Sequence, residues 1–322
     1  MVFNINTIFF NIKKYSIILL VIIMNFKHAY LIIAHNQFDI LEKLVKMLDD
    51  KRNDIFIHID KKAVDFNFDY FKKLVKNSNI YFTSRTDVRW GSYSQINCEY
   101  ILLKKACETN KYFYYHIISG CDLPIQTQDY IHNFFKKING KQVIQLTTDK
   151  LIEKNNAYYR ISRYHFFDKS FRTNKLLMRK FLDVFNFVIM PLQRILKVDR
   201  LHKKVKIGYG ANWVSITDSF ARYVIEKEDW VKKHFKHSKC ADELFMQTLI
   251  VNSKFIKDVY KEKSDNFNGD ACMRYIDWER GNPYTLRNQD YKELIKSDML
   301  FARKFNSSVD NEIIEKIYNK YK

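Results

Sequence analysis

The chain has 322 residues, 47% of them hydrophobic, with only 3 Pro and 7 Gly. This composition excludes a disordered or collagen-like protein and calls for continuous helices and strands around a full-sized core. A formal net charge of +19 points to an acidic partner, whether nucleotide phosphates, an anionic membrane surface or nucleic acid. Five cysteines, at 98, 107, 121, 240 and 272, form no Cys-x-x-Cys pair and are odd in number. They argue against a zinc site or a disulfide framework and for reduced thiols in a cytosol.

Residues 15 to 24 follow Lys13 and Lys14 and form an apolar run of about ten, far short of the roughly 20 that a spanning helix requires. No small-residue cleavage site follows. Residues 1–24 therefore read as an extension, either disposable or upstream of a start at Met24, with an interfacial anchor as the other reading. Residues 25–322 read as one domain with a nucleotide-binding half, 25–150, and a second half, 151–322.

From His28 the pattern is strand, helix, strand: Ala29–Ala34 is apolar, Phe38–Leu48 has helical periodicity, and Ile55–Ile59 is apolar again before Asp60. Such a βαβ opening builds a parallel sheet, and ligands bind beyond the carboxyl ends of its strands, where His35 and Asp60 fall. An acid there can accept hydrogen bonds from a ribose or a base. No glycine-rich phosphate loop accompanies it. The short strand Ile80–Phe82 leads through Trp90-Gly91 to a helix from Tyr93 to about Glu108. A Trp in such a loop offers a flat face to a base or sugar, or else packs in the core. The strand Tyr112–Ile118 ends in Ser119-Gly120-Cys121-Asp122-Leu123-Pro124-Ile125, a sharp loop that adds Asp122 to the same sheet edge. A helix over Asp129–Lys137 and a strand over Gln142–Leu146 complete this half.

Between 150 and 206, basic residues including Arg160, Arg163, Arg179, Lys180 and Arg194 flank the apolar run Phe181–Leu196. This pattern fits either a membrane-facing surface or an ordinary helix pair with solvated lysines. Gly208 to Trp213 forms a turn into the strand Trp213–Ile216, with Trp213 a second sugar platform, and a helix follows over Asp218–Glu226. Asp242 and Glu243 open a helix whose first turn stabilises negative charge, so a capping role competes with catalysis. Helical spacing turns Asp242 about 100° away from Glu243 and out of the cleft. A carboxylate at a cleft rim is what a sugar transfer needs as base. Strand-like residues Met273–Ile276, a helix over Asp290–Lys296, the cations Arg303 and Lys304 among aromatics, and a charged helix close the chain.

The ordered set of motifs resembles the core-2/I-branching family of glycosyltransferases, which includes peptide O-xylosyltransferases, from about residue 28 to 305. It is carried by His-Ile-Asp-Lys-Lys at 58–62, Ser84-Arg85 with Trp90-Gly91, Ser-Gly-Cys-Asp-Leu-Pro-Ile at 119–125, Ala-Asn-Trp at 211–213, Asp-Glu-Leu-Phe-Met-Gln-Thr-Leu at 242–249 and Leu-Phe-Ala-Arg-Lys-Phe at 300–305. The resemblance implies an α/β, GT-A-like fold with a Rossmann-like nucleotide-binding half, and inverting transfer from a UDP-sugar with Glu243 as base. It also implies that Arg280 and Lys304 hold the diphosphate in place of a metal, with Arg287 or Arg274 as substitutes for Arg280. His35, Asp60 and Trp90 then face the nucleotide, and Asp122 and Trp213 the sugars. The expected cofactor is none: no two aspartates stand two residues apart, so the Asp-x-Asp pattern that carries a divalent cation is absent.

The expected partners are a UDP-sugar, a glycan, lipid-linked or protein acceptor, and a peripheral contact with an anionic membrane, with no nucleic acid. The missing disulfide framework of secreted animal relatives favours a cytoplasmic, bacterial-type enzyme, N-acetylglucosamine being the first reading of the donor sugar and xylose the alternative. A basic nucleic-acid binder is the reading from a different class, but no RNA-recognition or zinc-finger pattern supports it.

Overall fold

The computed structural model describes residues 26–167, 175–201, 205–265 and 269–322. The expectations for residues 1–24, Met24 included, and the cations Arg172, Lys203 and Lys204 lie outside the described residues.

Strand β1 (His28–Ala34), helix α1 (Phe38–Leu48) and strand β2 (Asn53–Ile59) form the opening βαβ unit. Strand β3 (Asn79–Phe82), helix α2 (Tyr93–Thr109), strand β4 (Tyr114–Ser119), the two-residue β5 (Leu123–Pro124) and helix α3 (Gln128–Lys137) follow. The second half holds α4 (Ala157–Ser162), α5 (Leu176–Ile195), β6 (Ser215–Thr217), α6 (Asp218–Glu226), α7 (Phe245–Val251), β7 (Arg274–Ile276), β8 (Phe301–Arg303) and α8 (Asn311–Tyr321). This is the expected α/β class.

The main sheet runs β3-β2-β1-β4-β6. Its first four strands are parallel, and β6 is antiparallel to β4, with His116 opposite Ser215. Because side chains alternate along a strand, Leu31, Phe56, Tyr115 and Ile117 point into one core with Ile96, Leu103 and Phe245, while Tyr30, Ile57, Tyr114 and Ile118 point into the other with Leu41, Leu44 and Ile314. Continuous apolar runs buried on both faces are what a parallel sheet demands. A second, three-stranded sheet, β5-β8-β7, lies beyond the end of β4.

Three local expectations change. Gln142–Leu146 is buried but is not a strand. It makes isolated bridges, Gln142 to Val259 and Val143 to Ser215, while the Gln142 and Gln145 side-chain amides bind Thr217 and Ala211 in place of a ladder. Asp242 and Glu243 stand on a 3-10 turn, Ala241–Glu243, and the α-helix begins only at Phe245. The Glu243 carbonyl is taken by Gly210 N–H at 3.1 Å, so the turn serves a neighbouring segment and not a continuing helix. The Asp290–Lys296 helix is a 3-10 turn, Asn288–Asp290, followed by one short α-turn, Tyr291–Leu294.

Candidate active site

The parallel strands β1, β2 and β4 end on one rim, which carries His35, Asp60 and the Ser119–Asp122 loop. Since β6 runs the other way, its lead-in residues Asn212 and Trp213 arrive at that same rim.

At the end of β2, Asp60 is buried and accepts hydrogen bonds from Lys62 N at 2.8 Å and Lys62 Nζ at 3.1 Å. Lys62 Nζ also reaches Asp87 at 3.0 Å. Arg85 gathers the carbonyls of this turn, donating to Asp60 O at 2.8 Å and to Ile59 O and Lys61 O at 3.3 Å. The Ser84-Arg85 motif thus builds the turn that presents Asp60. His35 is exposed beside it.

Trp90 is about half exposed, at 51%. Gly91 has φ +73, a conformation that suits glycine, and its carbonyl accepts Cys240 N–H at 2.8 Å. One helical turn later Gln95 Nε2 donates to Asp242 Oδ2 at 3.0 Å, and Asn212 Nδ2 donates to the same oxygen at 3.2 Å. Asp242 therefore lies where three motifs distant in sequence converge. It is buried on the 3-10 turn, held by these two amide donors, while Glu243 keeps the solvent side.

Glu243 is partly exposed, at 35% of its side chain, and its Oε2 accepts Arg160 Nη2 at 2.7 Å. Arg160, on α4, also donates to Lys239 O at 3.1 Å and to Cys240 O, and its guanidinium lies over Tyr209 at 5.3 Å. Glu99, on α2, is a third carboxyl close by, buried with Oε2 lacking a partner among the described residues. Burial, and then the Glu243 charge, push Asp242 up to about 7, while burial, reinforced by Asp242, holds Glu99 well above the carboxylate range. Of the two adjacent acids, Glu243 is the one that meets both solvent and a guanidinium.

On the other side of the rim, Asp122 is buried, accepting Ser119 N at 2.9 Å and Ser119 Oγ at 2.7 Å, with Arg303 Nε at 3.5 Å. Arg303 lies over the Trp213 ring at 4.0 Å, so one face of that indole is already covered. Phe305 N–H bonds Cys121 O at 3.0 Å and seats the Arg303–Phe305 segment on the Ser119–Asp122 loop. Lys304, on that segment, is half-buried.

Arg280 stands on the loop that leaves β7 beside the Arg303–Lys304 segment, with Leu286 N–H bonding Lys304 O at 3.0 Å. Its guanidinium binds Asp277 and, at 2.7 Å, Asp290, and lies over Tyr284 at 4.2 Å, so two carboxylates already balance its charge. Arg274 is a core pin, donating to Val214 O and Ser215 Oγ and stacked over Phe301 at 4.7 Å. Arg287 is exposed. Among the described residues no three His, Cys, Asp or Glu side chains converge closely enough to hold a metal ion. Sequence reading missed Arg160, Gln95, Glu99 and Asn212. Arg160 stood in a basic stretch without local distinction, and only the packing of α4 against the Cys240–Glu243 turn sets it apart.

A groove of about 310 Å³ lined by Tyr159, Arg160, Arg163, Met190 and Arg194 opens beside Arg160. A wider, open groove of about 800 Å³ lies by the turn entering β2, lined by Asp50, Arg52, Asp129 and Lys320, and involves none of the rim residues.

Residues 28–299 match the sequence profile of the Core-2/I-Branching enzyme family, and the chain belongs to that family. Xylosyltransferase sqv-6 of Caenorhabditis briggsae is 25% identical over 280 residues, which is 81% of this chain and 32% of that protein. The bovine (Bos taurus) beta-1,3-galactosyl-O-glycosyl-glycoprotein beta-1,6-N-acetylglucosaminyltransferase 3 is 23% identical over 160 residues, 48% of this chain and 35% of that one. The chain thus spans about a third of the length of the curated relatives it matches. Mouse xyloside xylosyltransferase 1 in its apo form superposes loosely, with a TM-score of 0.34 and 8% identity over 86% of this chain and 96% of that one.

Proposed function

We propose that this chain is an inverting, metal-independent glycosyltransferase of GT-A type that moves a sugar from a UDP donor to a hydroxyl of a glycan, lipid-linked or protein acceptor. The observation that carries the reading is the pairing at the rim: Glu243, partly exposed and held by Arg160 at 2.7 Å, beside Asp242, which burial disfavours as a charged group. A base must be ionised and within reach of its proton. Of the two acids, Glu243 is the one that reaches solvent and pairs with a guanidinium, which supports it as the base.

The acceptor oxygen attacks the anomeric carbon, Glu243 takes its proton, and the bond from that carbon to the diphosphate oxygen breaks with its electron pair leaving on UDP. Lys304 stabilises the charge that grows on the leaving group. Arg280, assigned the same task by resemblance, would first have to release Asp277 and Asp290, so Lys304 carries more of the proposal. Asp60 and Trp90 face the uridine, His35 lies beside them, and Asp122 and Trp213 line the sugars. The five unpaired cysteines support a reducing, cytoplasmic setting.

For the donor sugar, N-acetylglucosamine remains the first reading. Xylose is a second, supported by the longer alignment with a xylosyltransferase, 81% of this chain against 48%. A donor-hydrolysis screen over UDP-sugars decides between them. The base is tested by Glu243→Gln, which keeps shape and hydrogen-bonding reach. General-base catalysis contributes about 10²–10⁴ in rate, so turnover should fall at least about a hundredfold with UDP affinity nearly unchanged. Turnover close to that of the wild type would remove Glu243 from the mechanism.

A further inference from the structure

Helix α5 is the most exposed apolar element among the described residues. Of its 20 residues only Leu182 and Gln193 are buried. Gln193 fastens the helix to the body, donating to Tyr164 O at 3.0 Å and accepting Tyr164 N–H at 2.8 Å. At 100° per residue Leu177, Phe181, Val184, Val188, Leu192 and Ile195 fall within an arc of about 80°, and all six are exposed, Leu177 at 83% and Ile195 at 75%. Contiguous apolar surface of this extent marks an interaction site on a soluble domain.

Charge selects the occupant. Between 175 and 197 stand Lys175, Arg179, Lys180, Arg194 and Lys197 against the single acid Asp183, and all five cations are exposed. A second copy of the chain would bring like charges together, whereas an anionic lipid surface complements them. The helix cannot cross a bilayer, since Arg179, Lys180, Asp183 and Arg194 interrupt it, and no described helix is long and apolar enough to do so. A broad exposed apolar face, which also includes Leu176 and Phe187, with five cations and one acid beside it is the pattern of a helix lying in the lipid interface.

We propose that α5 docks the protein in plane on an anionic bilayer. Met190 and Arg194 of this helix also line the groove that opens beside Arg160, the residue that holds Glu243. Resting on the function proposed above, this geometry assigns the acceptor to the amphiphilic class: a glycan whose lipid stays in the bilayer while its hydroxyl reaches Glu243.

The docking test uses the full chain and vesicles of phosphatidylcholine, alone or mixed equally with phosphatidylglycerol, in a flotation assay. The wild type should float with the anionic vesicles and much less with the neutral ones. The combined variant Phe181→Ser, Val184→Ser, Val188→Ser should lose at least about tenfold in affinity, given what burial of apolar groups contributes. Lys180→Gln should lose about fivefold, the value of one cation near such a surface. The substituted side chains are exposed, and unchanged circular dichroism and UDP affinity would show that the body remains folded.

The proposal is overturned if the wild type does not float, or if the triple variant floats as well as the wild type, which would move attachment to another segment such as the apolar run 15–24. It is equally overturned if the wild type is a dimer that the triple variant dissociates. For the acceptor class, the triple variant should raise KM for a bilayer-embedded glycolipid and leave a soluble headgroup analogue unchanged. Equal effects on both would sink that assignment. Vesicle binding is read without turnover, so docking can stand even if the transfer reading fails.

Discussion

Asp242 and Glu243 are neighbours in sequence and opposites in environment, and the difference follows from what each side chain meets. Asp242 is enclosed, with Gln95 and Asn212 donating to it, and its folded pKa of about 7 stands above the ordinary carboxylate value of about 4. In that window the folded state holds more protons than the unfolded state, so stability falls as pH rises from about 4 to about 7, by at most roughly 1.4 kcal/mol per pH unit. Asn at this position keeps an acceptor for both amides and has no charge to bury. The melting temperature of Asp242→Asn relative to wild type should therefore climb between pH 5 and pH 8, as thermal melts across that range would show. A constant difference would mean that Asp242 is ionised at low pH after all.

Lys304 carries the proposed diphosphate contact. A cation about 4 Å from a phosphate gains roughly 4 kcal/mol of Coulomb energy at an effective dielectric of about 20, before desolvation is subtracted. Calorimetry in excess EDTA should show UDP bound by the wild type, with Lys304→Ala weakening UDP much more than uridine. Equal weakening of both would make Lys304 structural, and loss of wild-type binding in EDTA would restore a metal to the site.

At the scale of elements, the segment from 208 to 213 joins the two sides of the rim. Gly210 donates to the Glu243 carbonyl, Ala211 donates to Gln145 Oε1 at 3.1 Å, and Asn212 reaches Asp242. Such close approach leaves no space for a side chain: a Cβ at Gly210 would come within 2.1 Å of Gln145 O. Gly210→Ala must push the segment away from Gln145. Forced overpacking costs about 1–3 kcal/mol, so a denaturant melt should shift by that order, and turnover should fall further than stability does because Glu243 moves with the segment. A neutral result would mean that this segment can shift freely without disturbing the turn.

At the scale of the molecule, both cores draw residues from either side of position 150: one joins Leu31 and Leu103 to Phe245 and Ile250, the other joins Leu41 and Ile118 to Phe301 and Ile314. The residues before and after position 150 accordingly share their apolar burial. Unfolding of this chain should be one cooperative transition, with fluorescence and circular dichroism melts coinciding. Separated transitions would show halves that stand independently.

The sequence alone determined the strands and the longer helices through β4, because continuous apolar runs and apolar residues at a period of 3.6 are local signals: α1 begins and ends where its periodicity does, at Phe38 and Leu48, whereas the five-residue helix Phe68–Lys72 went unread. It also determined that His35, Asp60 and Asp122 share one edge, since parallel strands end on the same side, and the family, through motifs in order. Three things were decided only in the tertiary structure. The antiparallel sense of β6, which carries Asn212 and Trp213 to the rim, depends on pairing with Tyr114–His116 and leaves no trace in composition. The burial of Asp242 depends on Gln95 and Asn212, residues 147 and 30 positions away. The partners of Arg160 and Arg280 were set by folding, one drawn to Glu243 and the other held by Asp277 and Asp290. A charge is defined by the charges that folding brings beside it, and neighbours in space are not neighbours in the chain.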